Sequence, residues 1–416
     1  MSQAALSSSR SAPLGPAAGL VIACTVGNFV CATPMVNSVF GVFLLPLAKA
    51  FGWPRAEVSG VLVIVAVVGV LAYPIVGRIA DRYGARTTLL IGNLVFAAAV
   101  AGLSLANGQP LQVYGLFALV GVTAAMSGTV LYSKIVAGWF THKRGLMLGI
   151  TAGGGNGAGA TLMPGVAALL LTHYGWRGAY VGLGLIILAL GFPILLAGLR
   201  NPPSASKAAK LLVESGVSAG EARRTSTFRL MAVAVALGAG SLSALFSHIV
   251  AMLMDRHVGE GLATTALMAF AFSGTGWQLV VGHLFDRAST PKIAAPFFLA
   301  SIAGVALLSL ATGPVLLILG GLLAGLGIGT EYGLLPYALP RYFGLRSYGE
   351  TYGVIYGLIV LTMGFSPVLM DAVYDRTGNY DLPLIIIGAC MALSAALIAV
   401  LPVYRYTVHG EPLAET

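Results

Sequence analysis

Charge is what this chain has least of. Asp, Glu, Lys and Arg make up 9% of its 416 residues, against 57% apolar ones, where an ordinary soluble domain carries about 25% charged residues. A water-soluble fold of this length cannot cover its surface with so few charges, so that class is excluded. Cysteine is scarcer still. Cys24, Cys31 and Cys390 are the only three, and all fall within apolar runs, which argues against a disulfide framework or a metal site and for small packing residues. No metal and no cofactor is expected. The opening stretch MSQAALSSSRSAPLGPA holds no apolar core of a cleavable signal, so the first span is expected to act as an uncleaved one.

What is present is a succession of apolar runs of about 20 residues, each able to cross a hydrocarbon layer about 30 Å thick as a helix. Twelve spans are expected near 18–46, 57–77, 87–106, 112–139, 145–172, 178–199, 228–254, 262–284, 292–310, 314–341, 347–374 and 381–402. The chain therefore reads as an all-α, multi-pass membrane protein. With twelve spans both termini lie on one side, together with the even-numbered connections. All but Lys49, Arg55, Arg177, Arg256 and Arg376 of the 23 Lys and Arg fall on that side. The positive-inside rule then puts the termini and the 201–227 connection in the cytoplasm of an inner or plasma membrane. Orientation and contact with anionic lipid account for the net charge of +9, and no nucleic-acid partner is expected.

The chain also repeats itself. GRIADR at 77–82 returns as GHLFDR at 282–287, with the same G-x-x-x-D-R spacing 205 residues on. Trp139-Phe140 with Gly145 and Gly149 matches Tyr342-Phe343 with Gly349 and Gly353, and Gly175-Trp176 matches Gly378-Asn379, at nearly the same displacement. Several pairs in register indicate a duplicated six-span unit. The expected organisation is a tail at 1–17, a first bundle at 18–200, a Ser, Ala, Pro and charge-rich linker at 201–227, a second bundle at 228–404 and a tail at 405–416. Two parallel six-span bundles on one linker are the arrangement of transporters that rock around a central site.

At these residues the sequence resembles the major facilitator superfamily, over essentially the whole of 18–402. The carriers are GRIADRYGAR and its echo GHLFDRAST. Within the superfamily it is most similar to the monocarboxylate transporter and oxalate:formate antiporter branch, through FGVFLLPLAKAFGWPRAEVSG, WFTHKRGLMLGITAGGGNGAG and EYGLLPYALPRYFGLRSYGETYG. The resemblance implies a fold of two pseudo-symmetric six-helix bundles. It also implies an arginine in span eight, four residues before the motif glycine, as partner of a substrate carboxylate. This chain has Gln278 there and Gly274 one turn earlier. Gln can donate a hydrogen bond but supplies no countercharge.

Gly77 and Gly282 are expected to let helices approach closely. Asp81 is placed to accept from the free N–H groups opening span eleven, SYGE, and the resemblance implies that this contact locks the cytoplasmic side. Arg82 and Arg86 would neutralise Asp81 or meet lipid phosphates, and Asp286 and Arg287 are the counterparts in the second half. Gly149, Gly153 and Gly157, four apart in span five, are expected to pack on span eight. Alternatively they unwind there, which would make Asn156 a ligand contact. They are no phosphate loop, since no Lys-Ser/Thr follows. Glu331 is the carboxylate set well inside a span, a candidate proton carrier. Asn28, Asn37, Tyr132, Asn156, His248, Gln278, Tyr332 and Tyr356 are the candidate substrate contacts, each also readable as an interhelical hydrogen-bonding residue. Lys134 is expected to snorkel to the cytoplasmic surface.

The reading is a secondary transporter, monomeric in the bilayer, working by alternating access. By resemblance it carries a small monocarboxylate-like anion with a proton or by exchange. Export of an amphipathic or aromatic compound is a second reading, and a transporter-like sensor a third. No nucleotide-binding motif suggests an ATP-driven pump, and no cluster of His, Asp or Ser inside the spans suggests an enzyme.

Overall fold

The computed structural model describes residues 14–140, 143–201 and 216–406. The tail before residue 14, most of the linker and the residues after 406 lie outside the described residues. Among the described residues, ten helical stretches are long and apolar enough to cross a membrane. One of them, Arg144–Gly198, is two crossings that reverse at Gly175, whose φ of 66° and ψ of 178° only glycine adopts without strain. One further helix, Glu260–Arg287, is of full length, but Ser273-Gly274-Thr275-Gly276-Trp277-Gln278 dilutes its apolar run. The twelve crossings are α1 Ala17–Phe51, α2 Glu57–Tyr83, α3 Ala85–Leu105, α4 Pro110–Trp139, α5 144–174, α6 176–198, α7 Ser226–Asp255, α8 Glu260–Arg287, α9 Pro291–Leu310, α10 Pro314–Phe343, α11 Tyr348–Thr377 and α12 Asp381–Ala399.

Two crossings read as continuous in the sequence are interrupted. α1 is helical over Leu14–Phe29, passes through a wide turn at Thr33–Asn37 and resumes over Phe40–Phe51. Pro34 opens that turn, where its missing N–H and its ring would break an ordinary helical register. α4 stops at Met126 and restarts at Thr129, with Ser127 and Gly128 outside helical geometry.

α1–α6 form one bundle and α7–α12 the other. Two seams of small residues join them. Along α2 and α11, Gly349, Gly353, Gly357 and Gly364 face Gly77, Tyr73, Val70 and Ala66. Along α5 and α8, Gly145 faces Gly282, Gly149 and Gly153 face Gln278, and Gly157 faces Thr275. Backbones approach so closely that a Cβ at Gly149 would stand 2.6 Å from the Gln278 carbonyl oxygen. Both seams begin at the end where α2, α4, α8 and α10 finish, here called the linker end. The segment just before α7 docks there too. The Val217 N–H reaches the Phe343 carbonyl at 3.0 Å, and a short helix, Ala219–Arg224, buries Ala219 and Ala222. That helix opens on a capping box in which the Ser218 N–H holds the Glu221 carboxyl below the usual carboxylate range.

Candidate functional site

Both copies of G-x-x-x-D-R lie at the linker end, and each does the same thing to the opposite half. Asp81 accepts the backbone N–H groups of Gly349 at 2.9 Å and Glu350 at 2.8 Å. Asp286 accepts those of Gly145 at 2.7 Å and Leu146 at 3.1 Å. These donors open α11 and α5, where the first turn has no acceptor of its own and the helix dipole favours negative charge. Gly77 and Gly282 let each carboxylate reach that far, because their own backbones lie against Gly349 and Gly145. Two carboxylate latches, related by the repeat, therefore fasten the halves together.

The charges around the latches are not the expected ones. Asp81 is paired with Lys134 at 2.6 Å, and the same ammonium donates to the Ala80 carbonyl at 2.9 Å. Arg86 instead donates to the Leu199 carbonyl at 2.8 Å, and Arg82 is exposed over its neighbour Tyr83. Of the two roles expected for Arg82 and Arg86, neutralising Asp81 falls instead to Lys134, which reaches it from α4 inside the same half, and contact with lipid phosphates remains open to exposed Arg82. Arg287 is exposed, without a hydrogen bond among the described residues. Glu350, to which the sequence pattern assigned no role, takes Arg78 of α2 at 2.8 Å and Arg223 of the linker helix at 2.6 Å. Two buried arginines were also missed. Arg341 donates to the Ala288 carbonyl at 2.7 Å and stacks 4.0 Å over Tyr404, and Arg144 donates to the Phe140 carbonyl at 2.9 Å. The available signal was a lone charge at the border of an apolar run.

From the linker end along α11 the contact between halves becomes aromatic. Tyr348, Tyr352 and Tyr356, four apart on α11, form a ladder with ring centroids 5.5 and 5.8 Å apart, and Tyr356 meets Tyr73 of α2 at 4.8 Å. Tyr332 of α10 is half-buried. Asn156 reaches toward Cys31 and Thr129, at 3.6 and 3.5 Å, and Asn37 is exposed at the turn inside α1.

Four other candidate substrate contacts are engaged or sealed in this conformation. Asn28 is fully buried against Gly155 and donates to the Cys24 carbonyl at 2.9 Å. Tyr132 is fully buried with its ring against Gly27. Gln278 lies in the α5–α8 seam, its side chain pressed on Gly153. His248 has both ring nitrogens occupied, by the Ala244 carbonyl and by Asp371, each at 2.8 Å. In this conformation neither ring nitrogen is turned to a substrate.

Glu331 is buried on α10, and Oε2 has no hydrogen-bond partner among the described residues. It turns into its own bundle. A Cβ at Gly238 of α7 would stand 3.5 Å from Oε2, with Phe298 of α9 and Ser394 of α12 beside it.

The model of the Major Facilitator Superfamily matches residues 27–367. Human monocarboxylate transporter 11 is 24% identical over 378 residues, covering 86% of this chain and 77% of that protein. The uncharacterized MFS-type transporter YcxA of Bacillus subtilis (strain 168) is 29% identical over 169 residues, 40% of each. Among solved structures, the E. coli fucose:proton symporter FucP superimposes with a TM-score of 0.71 at 15% identity, covering 92% of this chain and 98% of that one. The proton:xylose symporter XylE also gives 0.71, at 12% identity, covering 95% and 97%. Twelve crossings in two bundles, latched by a repeated motif and matched by the family model over most of their length, make this chain a member of the Major Facilitator Superfamily and an integral membrane transporter.

Proposed function

We propose that the protein moves a small organic anion of monocarboxylate type together with a proton, by alternating access between a half at 18–200 and a half at 228–404. The observation that carries this reading is the pair of latches. Asp81 and Asp286 bind backbone N–H groups of the opposite half, so parting the halves at the linker end releases both together. The conformation described is then the one with the linker end shut. The distribution of Lys and Arg supports placing that end, and both termini, in the cytoplasm.

Relatives named as monocarboxylate transporters support the substrate class. The protein's own residues support its transport with a proton. The ammonium of Lys134 is committed to Asp81, and Gln278 offers only a neutral amide. An anion crossing such a site is best carried as the acid or with a proton on Glu331, whose buried carboxyl makes no ion pair among the described residues. Asn156, Tyr332 and Tyr356 remain as hydrogen-bonding contacts to the substrate.

The aromatic ladder of Tyr348, Tyr352 and Tyr356, joined to Tyr73, favours a second reading in which the substrate is aromatic or amphipathic. Proteoliposome uptake of labelled lactate, pyruvate and an aromatic carboxylate, with and without an acid-outside gradient, separates the two. Gradient-stimulated uptake of lactate or pyruvate, competed by the unlabelled compound, is the expected result. Uptake of the aromatic acid alone supports the second reading, and uptake of none of them by folded, inserted protein refutes both.

A further inference from the structure

Lys134 is committed to Asp81, and Gln278 is neutral, so neither gives a substrate carboxylate a positive partner. The break in α4 offers positive charge of another kind. Its second piece, Thr129–Trp139, is a helix of 11 residues that starts inside the membrane and runs to the linker end. At about 1.5 Å per residue its first turn lies about 15 Å from that end, near the middle of a hydrocarbon layer about 30 Å thick. The Leu131 N–H returns to the Gly128 carbonyl at 3.1 Å. Those of Thr129 and Val130 reach no acceptor among the described residues, and no side chain caps them. Two free N–H groups and the positive end of a helix dipole therefore meet at this point.

Side chains of the neighbouring helices converge on the same turn. Thr129 Oγ1 lies 3.5 Å from Asn156 Nδ2 of α5 and 3.9 Å from Cys31 Sγ of α1. Those separations are at the limit of hydrogen bonding, so the three groups spend little of their capacity on one another. Cys31 comes just before the wide turn at Thr33–Asn37, and Asn156 just after the one at Gly149–Gly154. Tyr73 of α2 lies against Gly128 and also meets Tyr356 of the second half, which sets the break at the centre, where the halves touch. Two hydroxyls there are fully buried and make no hydrogen bond among the described residues: Ser127 Oγ at the break itself and Tyr132 Oη beside it. Each carries a hydrogen that an anion at the break can accept, and leaving such a group buried and unpaired costs free energy.

We propose that the carboxylate of the substrate binds at this helix start. It accepts from the N–H groups of Thr129 and Val130, from the Thr129 hydroxyl and from the Asn156 amide, with Ser127 and Tyr132 at the deep end. The discontinuous helix then supplies the positive potential that the neutral amide of Gln278 does not. This rests on the organic-anion reading and holds for a small or an aromatic acid alike.

The test is calorimetric titration of purified protein with lactate and with benzoate, using lactamide and benzamide as neutral counterparts. Thr129→Pro removes one N–H and the hydroxyl while keeping the helix start. Proline is favoured at a first helical position, and Gly128, at φ −85° and ψ 156°, already has the backbone that precedes one. This variant is expected to bind the acid about tenfold more weakly or worse, and Thr129→Val, which keeps the N–H, is expected to lose less. A second measurement uses the unaltered protein. Labelling glycine carbonyls with 13C and threonine with 15N picks out three Gly-Thr amides, those of Thr129, Thr275 and Thr330. The acid and not its amide should move the Thr129 signal, identified as the one missing from Thr129→Ser. If the wild type binds an acid with that signal unmoved, or Thr129→Pro binds it with unchanged affinity, the site is overturned and the anion reading stands. Binding of neither acid by the wild type overturns both.

Discussion

Replacing Asp81 with Asn tests the latch without changing its shape. Two bonds to Asp81 cross between the halves, from the N–H groups of Gly349 and Glu350. The ion pair to Lys134 does not count in the equilibrium, because α2 and α4 belong to the same half and carry that pair into either state. Hydrogen bonds to an ionised group contribute about 1.5–3 kcal/mol each and neutral ones about 1. Asn keeps one acceptor, and its amide NH2 faces a backbone donor in place of the second. With the Asp81 side chain 12% exposed, little of this is lost to screening, and the shut state should lose about 2–3 kcal/mol, or about 30- to 150-fold in the equilibrium. Ser133 on α4 is 1% exposed and lies against Tyr352 of the other half. With the three native cysteines replaced by Ala, a cysteine placed there by Ser133→Cys should react with an impermeant maleimide from the linker side at a rate that rises by that factor in Asp81→Asn. Asp286→Asn, the repeat-related change, should do the same. A labelling rate within twofold of the parent in both variants would refute the latch.

The same geometry sets three further outcomes. Gly149→Ala puts a methyl 2.6 Å from the Gln278 carbonyl oxygen, a cost of about 1–3 kcal/mol against the shut linker end; transport should fall at least tenfold, whereas Gly165→Ala, with nothing within 4 Å, should leave transport unchanged. Arg78→Gln should open the linker end less than tenfold, since that side chain is 65% exposed, while Arg223→Gln should leave labelling of the same cysteine within twofold of the parent. Arg223 travels with the second half and holds Glu350 in both states, as Lys134 holds Asp81 within the first half. Glu331→Gln should abolish gradient-driven uptake while sparing exchange of substrate at equal pH; full retention of gradient-driven uptake removes Glu331 from the proton path.

The latches were legible because G-x-x-x-D-R fixes spacing within one helix and the repeat shows the same spacing twice. The partner of Asp81 was not, because which of Lys134, Arg82 and Arg86 points at it depends on how α4 packs on α2. Glu331 was recognisable as a carboxylate within an apolar run, yet its direction, into the second bundle at Gly238, is set by helix rotation that composition does not encode. His248 was visible and Asp371 was not, since an aspartate near the end of a span reads as surface. Pro34 lay in plain view inside the first span, but a proline in a membrane helix is compatible with a kink as well as with a full interruption, and only the backbone at Thr33–Asn37 decides between them.

Because each half carries both a latch carboxylate and the helix start that receives one, the contact between them is isologous in kind, as in a twofold dimer. Asp81 and Gly145 sit on one half as Asp286 and Gly349 sit on the other. Nothing in the motif itself therefore dictates that a first half must pair with a second half rather than with a copy of itself. Pairing is left to what surrounds the motif: a connection that makes association of the halves intramolecular, and the unlike residues of the two seams, Tyr73 and Val70 against α11 but Gln278 and Thr275 against α5.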